Sequence, residues 1–384
     1  MELKIPRETR IVLIVLLLVF FLLVYVFWVR KDMSDFSVCY QGGKRILEGE
    51  SLYRVSDGHL QYKYSPPSAV FFSLLALLPY EGAKFIWYLS ELVFLYLSLV
   101  LSYKILHSRL KKKGTIIVFS LLILAKFYGR EIELGQVNIH IILVLTLMLL
   151  AVLSRKDVLA GLWWGLSLFF KPYALVFLPY FLLKRRFRLV AAGIVVVILG
   201  LFSPMVFYGF KGNIIVLREW LASLSRSTSP LLGTFDNASL HSFFLNILPV
   251  QKADIALVFI ICVSFLIGLY FLGMMFFGKK KGLKKPEALE FAFLFILIPL
   301  LSPLGWYYNY LYSILAIILL LNYMEKFPAF LKYGLIINFI IIGVSLKEML
   351  GKVAFDFYTQ NSLVVINYLI VLFYLFFTRV RKYS

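Results

Sequence analysis

Cysteine is nearly missing from this 384-residue chain: Cys39 stands near the start of a loop and Cys262 inside an apolar run, and there are no others. Two distant cysteines exclude a disulfide framework and a thiolate metal site, and read as isolated apolar residues. Acidic residues are scarce, 20 against 40 lysines and arginines, and there are four histidines. None falls into an HExxH or DxD spacing, so no metal is expected. The chain also lacks a phosphate-binding P-loop and a dinucleotide fingerprint, which removes support for nucleotide-sugar chemistry. Tandem repeats and inverted halves are not visible either.

What abounds is hydrocarbon. The chain is 61% hydrophobic and 17% aromatic, and apolar runs long enough to cross a bilayer recur throughout. A net charge of +20 could serve nucleic acid, but the basic residues form short clusters between apolar runs, a pattern of membrane topology. An all-α polytopic membrane protein is expected, as one integral membrane domain over residues 1–384. Spans are expected at about 11–28, 82–105, 114–128, 136–153, 157–170, 172–183, 188–206, 253–278, 288–301, 304–322, 329–346 and 361–378, about twelve helices. The first run exceeds a signal-peptide core and no small-residue cleavage pattern follows it, so it reads as a retained anchor.

Charge sets the expected orientation. With the N-terminus cytoplasmic, the N-terminal arm, HSRLKKKG from His107, SRKD from Ser154, KRRFR from Lys184, KKKGLKK from Lys279, EKFPAFLK from Glu325 and the tail RVRKYS lie inside. These short segments hold more than half of the 40 basic residues, as the positive-inside rule asks. Two large loops, about 29–82 and 207–252, then face outward and are too long to be plain connectors. The first is expected to carry a short interfacial helix ending at Gly49 and an apolar element over 68–78, too short to span. The second is expected to carry an amphipathic interfacial helix at REWLASL from Arg218. Two pairs of spans meet at Lys171-Pro172 and at Ser302-Pro303-Leu304-Gly305, on the outer side. Freed backbone groups at such breaks must be met by protein or by a watery cavity, so these junctions are candidate site linings.

Asp35, just past the first span, is the most informative charge. A carboxylate held at a membrane surface suits a general base, and it equally suits the N-cap of the helix that follows. Asp32, one turn earlier, reads as a surface charge paired with Arg30 or Lys31. Lys171, flanked by FF and PYA, suits the cation that meets a leaving phosphate, or a snorkelling interfacial lysine. Arg130 is a second cation, with Glu131 and Glu133 near enough to pair with it. Gln136 and Asn138 suit hydrogen bonds to sugar or phosphate, or contacts between helices. Asn237 suits a ligand contact or the N-cap of a short helix, and Trp306 a sugar-stacking face or an interfacial belt.

The motifs occur in a recognisable order. They are the Asp35 stretch with Gly49 and Leu52-Tyr53, the aromatic Tyr62 to Pro67 with its Pro-Pro pair, Gly135-Gln136-Val137-Asn138, Gly161-Leu162 leading to Lys171-Pro172 and Leu178-Pro179, Asn237-Ala238-Ser239-Leu240, and Leu301-Ser302-Pro303 with Trp306. This ordered set resembles glycosyltransferase family 87, within the GT-C class of membrane glycosyltransferases. The resemblance implies a GT-C-like bundle and inverting transfer of a sugar, mannose in typical members, from a polyprenyl-phosphate donor to a lipid or glycan acceptor of the cell envelope. The reaction would occur at the extracytoplasmic face, with Asp35 as base. It implies substrate-binding roles for Tyr64, Arg130, Gln136, Asn138, Lys171, Asn237, Trp306, Tyr308 and Asn309. The implied partners are donor, acceptor and membrane lipids, without nucleic acid, cofactor or metal. One departure stands out. The family's Ser-Pro-x-x-Trp segment is followed by histidine, whereas Tyr307, Tyr308 and Asn309 follow Trp306 here, and neither tyrosine nor asparagine carries a proton near neutral pH. Asp35 is then expected to be the site's only proton acceptor. A lipid or sugar transporter is the competing class. It asks for ionisable groups in mid-membrane, where Glu91 and Lys84 come nearest, and for shorter outer loops.

Overall fold

The computed structural model describes residues 6–228, 231–248, 253–279 and 286–381. The start of the N-terminal arm, most of the KKKGLKK stretch, the end of the second large loop and the last three residues of the tail lie outside the described residues. Among the described residues the chain is helical, with no strand. In order the helices are α1 (Arg7–Phe27), α2 (Ser34–Leu47), α3 (Pro66–Ala76), α4 (Tyr80–Ile105), α5 (Lys113–Leu134), α6 (Asn138–Leu153), α7 (Asp157–Phe170), α8 (Leu178–Leu183), α9 (Phe187–Phe202), α10 (Met205–Thr228), α11 (Leu240–Ile247), α12 (Ala253–Lys279), α13 (Glu287–Leu301), α14 (Ile314–Tyr323), α15 (Ala329–Val344), α16 (Lys347–Gln360) and α17 (Val364–Val380).

Every expected span falls on a helix, but the expectation of about twelve separate crossings is coarser than the structure. By length and composition four helices can cross a membrane alone, and up to seven segments can if each of three bent pairs forms one span. The pairs are α5 with α6, α9 with α10, and α15 with α16, bent by 118°, 95° and 96°. The shorter apolar runs, among them α7, the 172–183 segment and α17, fall below that length because prolines and polar junctions interrupt them. Two expected spans also do not begin as α-helix. Pro172–Phe177 and Tyr307–Ser313 are 3₁₀ turns that precede α8 and α14.

Burial separates the helices into two sets. α14 is buried along its whole length, α13 from Ala288 to Leu300, and α6 over most of its residues, so these three form the centre. α1 and the outer faces of α9 and α12 leave apolar side chains exposed, a surface that lipid covers and water would not. Of the buried carboxylates, Glu290 is paired with cations and Glu91, among the described residues, is not. At the end of the bundle remote from Asp35, the carboxylate of Glu290 accepts from Tyr180 Oη at 2.8 Å, Lys184 Nζ at 2.8 Å and Arg379 Nη2 at 3.2 Å, tying α8, α13 and α17 together.

At the other end the two large loops are mostly helical. α2 follows Met33, which takes a left-handed conformation (φ 50°), and its chain turns away at Gly49 (φ 68°), where a side chain would be strained. A short helix is therefore present where one is expected in the first loop, ending at Leu47, two residues before Gly49. The apolar 68–78 stretch forms α3, and REWLASL lies within α10, which docks on the first loop through Tyr208 Oη donating to the Glu50 carbonyl at 2.7 Å and Trp220 Nε1 to the Lys63 carbonyl at 3.3 Å.

Candidate active site

Four chain junctions converge beside α2. α5 ends at Gly135, whose φ of 67° reverses the chain and places Gln136 and Asn138 at the start of α6. Glycine is required there twice over: by that φ, and because an added Cβ would press on Phe36 and Met33. α7 ends at Phe170, since Pro172 keeps the residue before it out of the helical region. Lys171 is accordingly extended (φ −145°, ψ 134°). The 3₁₀ turn after Trp306 brings in Tyr308, Asn309 and Tyr312, and Tyr64 enters from the loop before α3.

These residues form one hydrogen-bonded chain. Gln136 Nε2 donates to Asp35 Oδ2 and, at 3.3 Å, to Tyr308 Oη. Gln136 Oε1 accepts from Lys171 Nζ at 3.0 Å and from Tyr64 Oη at 3.2 Å. Lys171 also donates to Asn138 Oδ1 at 3.0 Å, which accepts from Tyr312 Oη at 3.2 Å. Asn138 Nδ2 reaches Glu131 Oε2 at 2.8 Å and Asn309 Oδ1 at 3.1 Å, and Asn309 Nδ2 donates to Tyr173 Oη at 3.3 Å. The Lys171 ammonium lies 5.5 Å from the Tyr173 ring centre, within the range of a cation–π contact. Seven of the ten residues singled out from sequence therefore meet: Asp35, Tyr64, Gln136, Asn138, Lys171, Tyr308 and Asn309.

Asp35 does not cap α2. The N-cap is Met33, and it is Asp32 Oδ1 that accepts from the Ser34 amide, at 3.1 Å. Pairing of Asp32 with Arg30 or Lys31 does not occur either, since its nearest cation is Arg130 at 3.8 Å and Arg30 bonds Glu81 at 2.7 Å. The Asp35 carboxyl is partly exposed, and burial raises it above the ordinary carboxylate range. The Gln136 hydrogen bond and the Lys171 and Arg130 cations pull the other way. Burial likewise pushes the Tyr64 hydroxyl well up, so it stays a donor.

Three expected residues stand apart from the chain. Arg130 pairs with Glu133 at 2.8 Å and remains part-exposed. Asn237 ties two loops: its Nδ2 donates to the Leu232 and Pro303 carbonyls at 2.8 Å each, and its Oδ1 accepts from the Gly305 amide at 3.0 Å and the Ser239 amide at 3.3 Å. It is not the N-cap of α11; Ser239 is, accepting from the Ser242 amide. Trp306 pairs its backbone with Asn237 in an isolated bridge and opens the 3₁₀ turn.

Sequence reasoning missed Glu131, Tyr173 and Tyr312. Glu131 is not a partner of Arg130. It is fully buried, and its Oε1 accepts from the Asn138 amide at 2.6 Å and the Ile139 amide at 3.3 Å, the donors left free at the start of α6. Its spacing, one turn before the helix-reversing Gly135, was the available signal. Tyr312 follows Asn309 by three residues in the same 3₁₀ turn and so shares its face, and both bond Asn138.

All-helical among the described residues, with apolar helices of membrane-spanning length and a partly buried carboxylate–amide–ammonium chain, the protein has the build of an integral membrane protein. Residues 62–303 of the 384 match the family model of glycosyltransferase family 87. The chain belongs to that family, and is thereby a glycosyltransferase. The matched region contains Tyr64, Gln136, Asn138 and Lys171, and leaves Asp35, Tyr308 and Asn309 outside it. No curated protein and no solved structure matches the chain.

Proposed function

We propose that this protein is an inverting transferase that moves a sugar, mannose, from a polyprenyl-phosphate donor to a lipid or glycan acceptor at the extracytoplasmic face of the cell membrane, with both termini cytoplasmic. Asp35 is the general base. It takes the proton of the acceptor hydroxyl as that oxygen bonds to the anomeric carbon from the side opposite the phosphate. The bond from the anomeric carbon to the phosphate oxygen breaks with its electron pair, and the new negative charge is met by the Lys171 ammonium. Tyr64, Tyr308 and Asn309 supply hydrogen bonds to sugar or phosphate.

The observation that carries this proposal is the sharing of Gln136 by Asp35 and Lys171. Two hydrogen bonds across one amide keep the base and the cation within roughly 8 Å of each other. That gap is suited to a sugar ring lying between an attacking hydroxyl and a leaving phosphate. The sidedness rests on the uneven distribution of basic segments.

The test is transfer of radiolabelled mannose from the polyprenyl-phosphate donor by the purified protein in vesicles. Asp35→Asn should lower the rate by about 10²- to 10⁴-fold with donor binding retained; undiminished transfer removes Asp35 from the chemistry. A transport reading has one observation behind it: Glu91 is fully buried, and neither of its carboxylate oxygens has a hydrogen-bond partner among the described residues. Substrate flux into sealed vesicles without a new glycosidic bond would establish transport instead.

A further inference from the structure

A cavity lies across the 3₁₀ turn from Asp35. It encloses about 440 Å³, and its wall includes Lys126, Asp236, Tyr307, Asp356, Tyr358 and Gln360. Tyr307 faces it, while the next residue, Tyr308, is bonded into the Asp35 chain. The lining is of the kind that binds carbohydrate: carboxylates and an amide for hydroxyls, and aromatic rings for the apolar faces of a sugar. Neither Asp236 nor Asp356 forms an ion pair among the described residues. Lys126 is half-buried, donates to Ser345 Oγ and to the Ser345 carbonyl, and lies 4.8 Å from the Phe127 ring centre.

Below this polar cavity runs a mostly apolar one of about 610 Å³, between α5, α14 and α15, whose lining turns charged only at Glu325 and its partners Lys111 and Lys332. The two adjoin residue by residue. On α5, Ile116, Phe119 and Ile123 line the apolar groove and Lys126 and Phe127, on the same helix face one turn further, line the polar cavity. On α15, Ile336, Ile340, Gly343 and the last residue, Val344, line the groove, and Ser345, just past the helix, lines the cavity. Polarity thus changes at one level along both helices. A groove of hydrocarbon that opens into a sugar-type cavity matches an amphiphile with its head beside the reaction centre and its tail along the membrane depth.

We propose that this bipartite site binds the acceptor, and that the acceptor is a membrane lipid: its glycosyl or polyol head occupies the cavity of Asp236, Asp356 and Tyr307, and its hydrocarbon chain occupies the groove between α5 and α15. The proposal rests on the transferase reading above and narrows its acceptor from a lipid or glycan to a lipid.

The test uses the full chain in phosphatidylcholine nanodiscs with a trace of dodecyl mannoside carrying a diazirine near the end of its alkyl chain. On irradiation the label is expected on 116–123 and 336–344. Asp356→Asn in the head cavity and Ile340→Trp in the groove should each reduce it about fivefold or more, the equivalent of about 1 kcal/mol. Asp35→Asn should leave it in place. Label spread evenly over exposed helices such as α1 and α12, or undiminished in both variants, overturns the proposal and leaves the groove an unspecific lipid seat. Failure of the transferase reading appears separately, as wild-type protein that captures the label yet transfers no sugar from the polyprenyl-phosphate donor to any acceptor or to water.

Discussion

Asp35 and Lys171 are bonded to opposite atoms of one side-chain amide: Gln136 donates through Nε2 to the carboxylate, and accepts through Oε1 from the ammonium at 3.0 Å. The amide holds the two charges near each other without letting them close into an ion pair. A direct pair would stabilise the ionised carboxylate and occupy the cation, weakening the base and withholding the ammonium from a phosphate. Gln136 is buried, so water does not replace it as the spacer.

Gln136→Leu removes that spacer without adding charge. Asp35 loses a donor, Lys171 loses an acceptor, and the ammonium is free to move onto the carboxylate. Transfer should fall roughly 10- to 100-fold, less than in Asp35→Asn because the base survives. Steady-state kinetics with the polyprenyl-phosphate sugar decide it; a rate equal to wild type would mean that the amide has no part in the site.

The pH profile follows from the raised Asp35 carboxyl. A base must be ionised, so kcat/KM should fall on the acid side through an apparent pKa above that of an ordinary aspartate. Lys171 opposes that rise, so Lys171→Met should move the acid limb to still higher pH as well as slowing the reaction. Stability has its own sign. A folded-state pKa above the unfolded one means that ionising Asp35 costs folding free energy: its favourable contribution is complete below the unfolded pKa and is lost as pH rises through the folded one. Asp35→Asn, which accepts the Gln136 hydrogen bond without the charge, should therefore melt no lower than wild type at pH 7, while it loses activity. A lower melting temperature for the variant at that pH would contradict the account.

Glu131 supports the site from beneath. Its carboxylate accepts from the Asn138 amide, the Ile139 amide and Asn138 Nδ2, so it fixes the start of α6 and the rotamer of the asparagine that holds Lys171. Glu131→Gln keeps the shape but turns one acceptor into a donor facing donors, at a cost of about 1–3 kcal/mol for the buried group left unpaired. Thermal unfolding in detergent should show the loss. In protein kept folded at low temperature, kcat should fall more than donor affinity, because Lys171 is displaced from its post. Unchanged melting and unchanged kcat together would make Glu131 a bystander.

How much of this was legible in the sequence depended on whether a residue's role follows from its neighbours in the chain. Apolar runs report membrane helices because burial in lipid is a property of a stretch. Lys171-Pro172 and Gly135-Gln136 report broken ends because proline and a left-handed glycine act locally. Asp35, Lys171, Gln136 and Asn138 could be listed for that reason. Their shared amide could not, since residues 35, 136 and 171 are brought together only by packing. Glu131 was hidden by a nearer explanation, the adjacent Arg130, which the structure pairs with Glu133 instead. The lengths of the crossings were misjudged because apolar content does not reveal a bend, and three pairs of helices bend by 95° to 118°.

Asn237 separates a structural role from a binding one. Its amide has four partners, the Leu232 and Pro303 carbonyls and the Gly305 and Ser239 amides, and none belongs to the Asp35 chain. It holds the 302–306 break against the second large loop, where Gly305 is packed so closely on the Pro299 carbonyl that a Cβ would not fit. Asn237→Ala leaves buried backbone groups unpaired in both loops and should cost about 2–4 kcal/mol, seen as a lower melting temperature. The 3₁₀ turn that starts at Tyr307 loses its anchor, so kcat should fall through Tyr308 and Asn309. The donor KM should stay near wild type in protein that remains folded, because no donor contact has been removed. A donor KM raised manyfold at an unchanged melting temperature would instead place Asn237 on the substrate.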